Sequence, residues 1–197
     1  MRSLKYRPIV SIALVAINCI VFVICKLTGD FLYNVGVLDP VEVFVRHEYG
    51  RILWSMFLHS GIRHLFNNML ILYFLGSMIE MEVGHTMYGV LYFLSGIGGN
   101  LFSLWSRFLH SDPTGSLGAS GAVFGLDGVL LAMVLLSDKR MANVTPGRVI
   151  FMIVYSLYSG FVSPNIDNVA HVGGLLTGFV AAGILCFFSR GTQGKRR

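Results

Sequence analysis

Four side chains in this sequence have types and spacings that could do chemistry together. Ser120 lies among glycines and alanine in LGASGAVFG, His171 in AHVGGLLTG, and His64 and Asn68 in GIRHLFNNM. A serine hydroxyl becomes a nucleophile when a base within about 2.6–3.2 Å takes its proton, and histidine is the commonest base. His64 and Asn68 stand four apart and therefore share one helix face, while Asn67 points about 100° away. Each feature also has a plain structural reading. GASG is how membrane helices pack closely, a single histidine such as His64 can be interfacial, and AHxxG alone says little. The elements that carry these residues have to decide between the two.

Those elements are apolar. Of 197 residues, 54% are hydrophobic and 13% charged, with a mean hydropathy of +0.69. A soluble domain of this size would be about 25% charged, so lipid is the expected solvent for most of the surface. Six apolar segments approach the length needed to cross a hydrocarbon core of about 30 Å. They are residues 9–26, 64–80, 86–106, 115–137, 149–164 and 168–189, in one domain covering residues 1–197. The long connection 27–63, with Trp54 in RILWSMFL, reads as short amphipathic helices lying against the bilayer. Residues 9–25 are uncharged and exceed a signal-peptide core, and no small-residue cleavage site follows, so they read as a retained first helix. The fold class is thus an all-α polytopic membrane protein, a bundle of six transmembrane helices.

Charge sets the orientation. The net charge is +5, but the basic residues flank apolar runs instead of forming one polar face, which argues for topology signals and against a nucleic-acid partner. Six spans put both termini on one side with the 81–85 and 138–148 loops, and that side holds ten Lys and Arg against five on the other. Both termini are therefore expected in the cytoplasm of a bacterial plasma membrane, with no transit peptide. Cys19, Cys25 and Cys186 form no framework spacing and no CxxC pair, so neither a disulfide scaffold nor a metal site is expected, and no cofactor is implied.

The topology then assigns depths. Ser120, one or two turns into the fourth span, His64 at the mouth of the second and His171 one turn into the sixth all lie on the non-cytoplasmic side. Polar groups in lipid are costly, which makes each a functional hypothesis. Gly174 and Gly178 follow His171 on its own face, and Gly121 and Gly125 offer a matching stripe on the fourth span. Docked together, the stripes would bring His171 to Ser120.

With H-x-x-x-N at His64 and Asn68, G-x-S-G at 118–121 and A-H-x-x-G-x-x-x-G at 170–178, the chain resembles the rhomboid family of intramembrane serine proteases. FLHSG around His59 and Glu80 in LGSMIE are similar too, so the likeness runs from about Arg51 to Gly178. The resemblance implies a Ser–His dyad without an acidic third member, in which Ser120 attacks and His171 is base, then acid. It implies an oxyanion site made by the Ser120 N–H, His64 and Asn68, with Gly118 letting backbone approach. It gives Glu80, His59 and Arg51 bracing roles. The substrates it implies are transmembrane segments of other proteins, cut near the non-cytoplasmic side after lateral approach past the fifth span and the 163–168 link. Oligomeric state is left open.

Three positions depart from the family pattern. Gly50 precedes Arg51 where tryptophan is common, and Phe124 stands where many members have a tyrosine stacked under the histidine. Asp127, seven residues after Ser120 on the same face, is unexpected at that depth. Its expected state is a neutral, hydrogen-bonded structural acid; the alternative is that it holds a buried polar network beneath the dyad. Competing classes fit less well. A non-proteolytic client-binding relative would lack the serine or the histidine. A transporter would show repeats, a zinc protease needs H-E-x-x-H, and an aspartyl protease needs two intramembrane acids.

Overall fold

The computed structural model describes residues 7–29, 31–136, 144–162 and 166–194. The basic residues Arg2, Lys5, Lys139, Arg140 and 195–197, on which the orientation partly rests, fall outside the described residues, as do 163–165 of the link before the last span.

Among the described residues there are nine α-helices and no strands. Helix α1 spans Ile9–Thr28; α2 (Phe31–Gly36), α3 (Pro40–Phe44) and α4 (Arg51–Trp54) are the short helices of the long connection, closed by a 3-10 turn at Ser55–Phe57. The remaining long helices are α5 (Ile62–Val83), α6 (His85–His110), α7 (Ser120–Leu136), α8 (Pro146–Phe161) and α9 (Asn168–Gly194). The protein is an all-α polytopic membrane bundle. By length and composition alone, three helices can cross a membrane: α1, α6 and the 168–188 part of α9. The others fall short for physical reasons. At 1.5 Å per residue, the 16 residues of α8 rise about 24 Å, and α5 carries Arg63, Glu80 and Glu82.

Helix α7 has 17 residues and sits at the centre, packed by α9, α6, α5 and α8. Twelve of those residues are buried, so the helix is enclosed around most of its circumference, as a core helix must be. Its Leu126 and Val129 form the core together with Leu72, Ile79, Tyr88 and Leu91 of the surrounding helices. Large apolar side chains such as Ile20, Phe151, Tyr155 and Phe187 face outward, which in a membrane bundle is the lipid side.

The fourth span starts later than the sequence predicts. Residues 115–119 are not helical; Leu38 and Ser116 form an isolated antiparallel bridge with N···O distances of 2.9 and 3.0 Å. Gly118 then donates its N–H to the Ser55 carbonyl at 2.9 Å and adopts φ +132°. The long connection thus takes up the hydrogen bonds that a helix through 115–119 would have used. Ser120 is consequently the first helical residue, not one or two turns in.

Arg51 anchors the connection from within. Its side chain is 7% exposed and donates to Glu48 Oε2 (2.7 Å) and to the Val37 carbonyl (3.0 Å), with Glu42 at 3.7 Å. Asn100 of α6 donates to the Ile52 carbonyl (2.7 Å) and to Ser55 Oγ (2.9 Å), fixing the segment that holds Gly118.

Candidate active site

Helix position explains what surrounds Ser120. The first N–H groups of any α-helix lack intrahelical acceptors, and the helix dipole puts partial positive charge there. In α7 the bond from the Val123 N–H to the Ala119 carbonyl (3.0 Å) opens the helix, so the N–H groups of Ser120, Gly121 and Ala122 lie in the unpaired first turn.

His171 arrives from α9. Its Nε2 lies 2.9 Å from Ser120 Oγ, and its ring stacks on Phe124 with centroids 4.2 Å apart and 16° between planes. Phe124 lies one helical turn beyond Ser120, so one helix supplies both the hydroxyl and the surface under the imidazole. His171 Nδ1 is buried and has no hydrogen-bond partner. With the proton on Nδ1, Nε2 is free to accept from the serine hydroxyl.

The glycine stripes meet as the spacing predicts. A Cβ on Gly174 would overlap the Gly121 carbonyl, and one on Gly178 would overlap the Gly125 carbonyl. Gly99 of α6 completes the crossing, because a Cβ there would stand 2.6 Å from the Ala170 carbonyl. In sequence, GIGGN looks like ordinary helix packing, because Ser95 and Asn100 beside it carry no catalytic spacing to the serine or histidine.

Gly118 leaves a small space between the two halves of the site. A Cβ built there would lie 2.9 Å from both Cε1 and Nε2 of His64 and 3.6 Å from Ser120 Oγ. His64 Nδ1 sits 3.1 Å from Ser60 Oγ. When Ser60 donates in that pair, the imidazole proton resides on Nε2, the nitrogen facing the space. Asn68, one turn along α5, is buried with its Nδ2 unpartnered. Ser60 is not among the residues the spacing selects, since it lies in the bend before α5 and shares no helix face with His64.

His59 is fully buried, its carbonyl accepts the Tyr33 hydroxyl (2.7 Å), and its ring meets His64 edge-on at 5.0 Å. Burial, with His64 nearby, holds His59 down at about 4, so it is a neutral brace at physiological pH. Glu80 lies far from the serine, fully buried at the other end of α5. It accepts the N–H groups of Val10 and Ser11 (2.8 Å each) and the Ser11 hydroxyl (2.7 Å), and it pairs with His85. It therefore braces the second span against the start of α1. Asp127 is buried two turns below Ser120, and its Oδ1 has no hydrogen-bond partner.

An all-helical membrane bundle with a serine and a histidine in contact from two different helices defines a small class, and comparison with known proteins agrees. The rhomboid domain family matches residues 46–188. RHOMBOID-like protein 1 of Arabidopsis thaliana is 40% identical over 151 residues, 76% of this chain and 38% of that protein. Rhomboid protease GluP of Bacillus subtilis is 33% identical over 195 residues, 96% of this chain and 37% of that protein. Inactive RHOMBOID-like protein 8 of Arabidopsis thaliana is 38% identical over 153 residues, 76% of this chain and 42% of that protein. The chain belongs to the rhomboid family. It spans less than half the length of each of these relatives. Since one of them is named inactive, membership alone does not give activity, and the site residues carry that argument.

Proposed function

We propose that the chain is an intramembrane serine endopeptidase whose nucleophile is Ser120 and whose base is His171. The observation that carries this reading is the 2.9 Å contact between His171 Nε2 and Ser120 Oγ, held over the Phe124 ring. The Ser120 oxygen attacks the scissile carbonyl while Nε2 takes its proton, and the same nitrogen then protonates the leaving amine. Water, deprotonated by His171, releases the acyl group from the serine. The oxyanion sits in the space at Gly118, receiving the Ser120 N–H, His64 Nε2–H and Asn68 Nδ2–H. Such donors are worth about 2.7–4 kcal/mol each in the transition state. The unpartnered Asn68 Nδ2 supports this, because a buried donor otherwise costs free energy.

Substrates in this reading are transmembrane segments of other proteins, in a plasma membrane of bacterial type with both termini of the enzyme in the cytoplasm. Helix-destabilising residues near the cut would mark them, since an intact helix hides its carbonyls. Lateral entry past α8 is supported by how little that helix buries: Val149, Ile153 and Gly160 only, among its described residues. A fluorophosphonate probe on the membrane-embedded chain tests the nucleophile. Labelling of the wild type and none of Ser120→Ala, with peptide-bond cleavage lost in the same variant, is the expected result. Residual turnover in Ser120→Ala would sink the assignment.

A further inference from the structure

Arg107 is one of the five basic residues that the sequence pattern puts on the non-cytoplasmic side. In the fold it does something more specific. It sits in the last turn of α6, where its guanidinium reaches two chain segments that are remote in sequence. Toward the first, Nη1 donates to Asp112 Oδ2 (3.0 Å), to the Thr114 carbonyl (2.7 Å) and to the Thr114 hydroxyl. That segment continues through the Leu38–Ser116 bridge to Ser120. Toward the second, Nη2 donates to Asp167 Oδ2 (3.1 Å), while Nε donates to Ser103 Oγ (3.1 Å) and the Ser103 hydroxyl donates to the same Asp167 oxygen.

Asp167 is the residue from which α9 starts. Its Oδ1 accepts the Ala170 N–H (3.0 Å), and its carbonyl accepts the His171 N–H (3.2 Å). The side chains of Arg107 and Asp167 are only 13% and 14% exposed, so the pair is shielded from water and screened little. Both lie along a polar cleft of about 280 Å³ with His110 and Asn168. A guanidinium can hold two acceptors at once because its donors form a rigid planar fork, which an ammonium on a flexible stem does not reproduce.

We propose that Arg107 is a positioning residue for the Ser120–His171 pair, tying the segment that delivers the serine to the cap of the helix that delivers the histidine. Thr114, which Arg107 grips, precedes Ser120 by six residues and Asp167 precedes His171 by four, so the clamp acts a short stretch of chain from each reacting group. Hydrogen-bonded catalytic pairs need placement to within about 0.5 Å, and a misplacement of about 1 Å can lower turnover about 10²-fold. The inference rests on the serine-protease reading above.

The test uses the full chain in proteoliposomes, with kcat and KM on a transmembrane substrate, the rate of fluorophosphonate labelling at Ser120, and a thermal melt. Arg107→Gln is expected to lower kcat and the labelling rate about 10²-fold while KM stays unchanged. Arg107→Lys restores part of the rate, since an ammonium reaches one segment at a time. Asp167→Asn keeps the helix cap, because asparagine caps as well as aspartate, and still lowers kcat. Combining it with Arg107→Gln adds nothing beyond the larger single effect. Unchanged kcat per folded molecule in Arg107→Gln or Asp167→Asn, or strictly additive losses in the double variant, overturns the proposal. Should Arg107→Gln fail to fold, Arg107→Lys and Asp167→Asn carry the same comparison. A wild-type chain that takes no probe at Ser120 removes the protease reading and this inference together; a labelled wild type with unaffected variants removes this inference alone.

Discussion

Ser120 is useful because of where its helix begins, and Gly118 is what makes that beginning possible. With φ +132°, position 118 occupies backbone space that residues with a Cβ rarely enter, and the missing Cβ leaves room beside His64 Nε2. Gly118→Ala therefore meets two penalties at once: backbone strain, and a methyl group 2.9 Å from the His64 ring, in the space where the proposed mechanism puts the oxyanion. The expected outcome is a loss of kcat of roughly 10²-fold or more with the protein still folded, read by cleavage kinetics alongside a melt. Near-normal kcat would place the oxyanion elsewhere. At this scale the sequence was informative. Ser120, His171, His64 and Asn68 could be picked out because polar groups at membrane depth are rare and their spacing selects helix faces. Ser60 and Asp167 could not, since each looks like an ordinary loop residue until its partner is brought near in space. The unpaired oxygen of Asp127 has no account in the residues around it.

Helices α7 and α9 approach so closely that carbonyls of one fill the places where side chains of the other would be. Gly178→Ala is expected to destabilise the bundle by about 1–3 kcal/mol through overpacking and to move His171 away from Ser120. Gly147→Ala in the first turn of α8 makes the control: a Cβ there meets nothing within 4 Å, so the helix should gain slightly in stability. Melting curves of the two variants should shift in opposite directions, and equal shifts would refute the close crossing. The start of α9 offers a second check. Burial pushes the Asp167 carboxyl up, but hydrogen bonds from Ser103, the Ala170 N–H and Ser116, with the Arg107 charge, together hold it below the usual carboxylate range. A carboxyl lowered in the folded state stabilises it above the unfolded value, about 3.9, and loses that contribution as pH falls through the folded value. Melting temperature should therefore drop faster below about pH 4 in the wild type than in Asp167→Asn; parallel curves would mean the carboxylate is not held this way. The stripes themselves were legible as period-four glycines. The true start of α7 was not, because GSLGA at 115–119 is uncharged and continues the apolar run, while its backbone is claimed by Leu38 and Ser55.

Across the whole molecule, the reacting groups sit at one end of the bundle and a second polar anchor sits at the other. The family match begins at residue 46, so α1 precedes it, yet α1 is docked into the bundle by a buried carboxylate on α5. Glu80 lies 18 residues beyond Ile62, the first residue of α5, or about 27 Å along the helix. It takes the orphan N–H groups at the start of α1 as acceptor, the role an N-cap side chain fills locally in other helices. The family resemblance implies a brace at Glu80 but not what it braces, since its partners are about 70 residues away in the chain. Removing it in Glu80→Ala leaves the buried N–H and hydroxyl of Ser11 without their acceptor, and an unsatisfied buried donor costs about 1–3 kcal/mol. The expected result is a melting temperature several degrees lower, while the folded fraction still labels at Ser120, because the Ser120–His171 contact and the Gly174 crossing do not involve Glu80. Glu80→Gln, which keeps an acceptor oxygen for one of the two N–H groups, should fall between the two. If Glu80→Ala melts like the wild type, α1 is held by its apolar face alone; if labelling per folded molecule collapses with it, the two ends of the bundle are coupled and the brace belongs to the catalytic machinery.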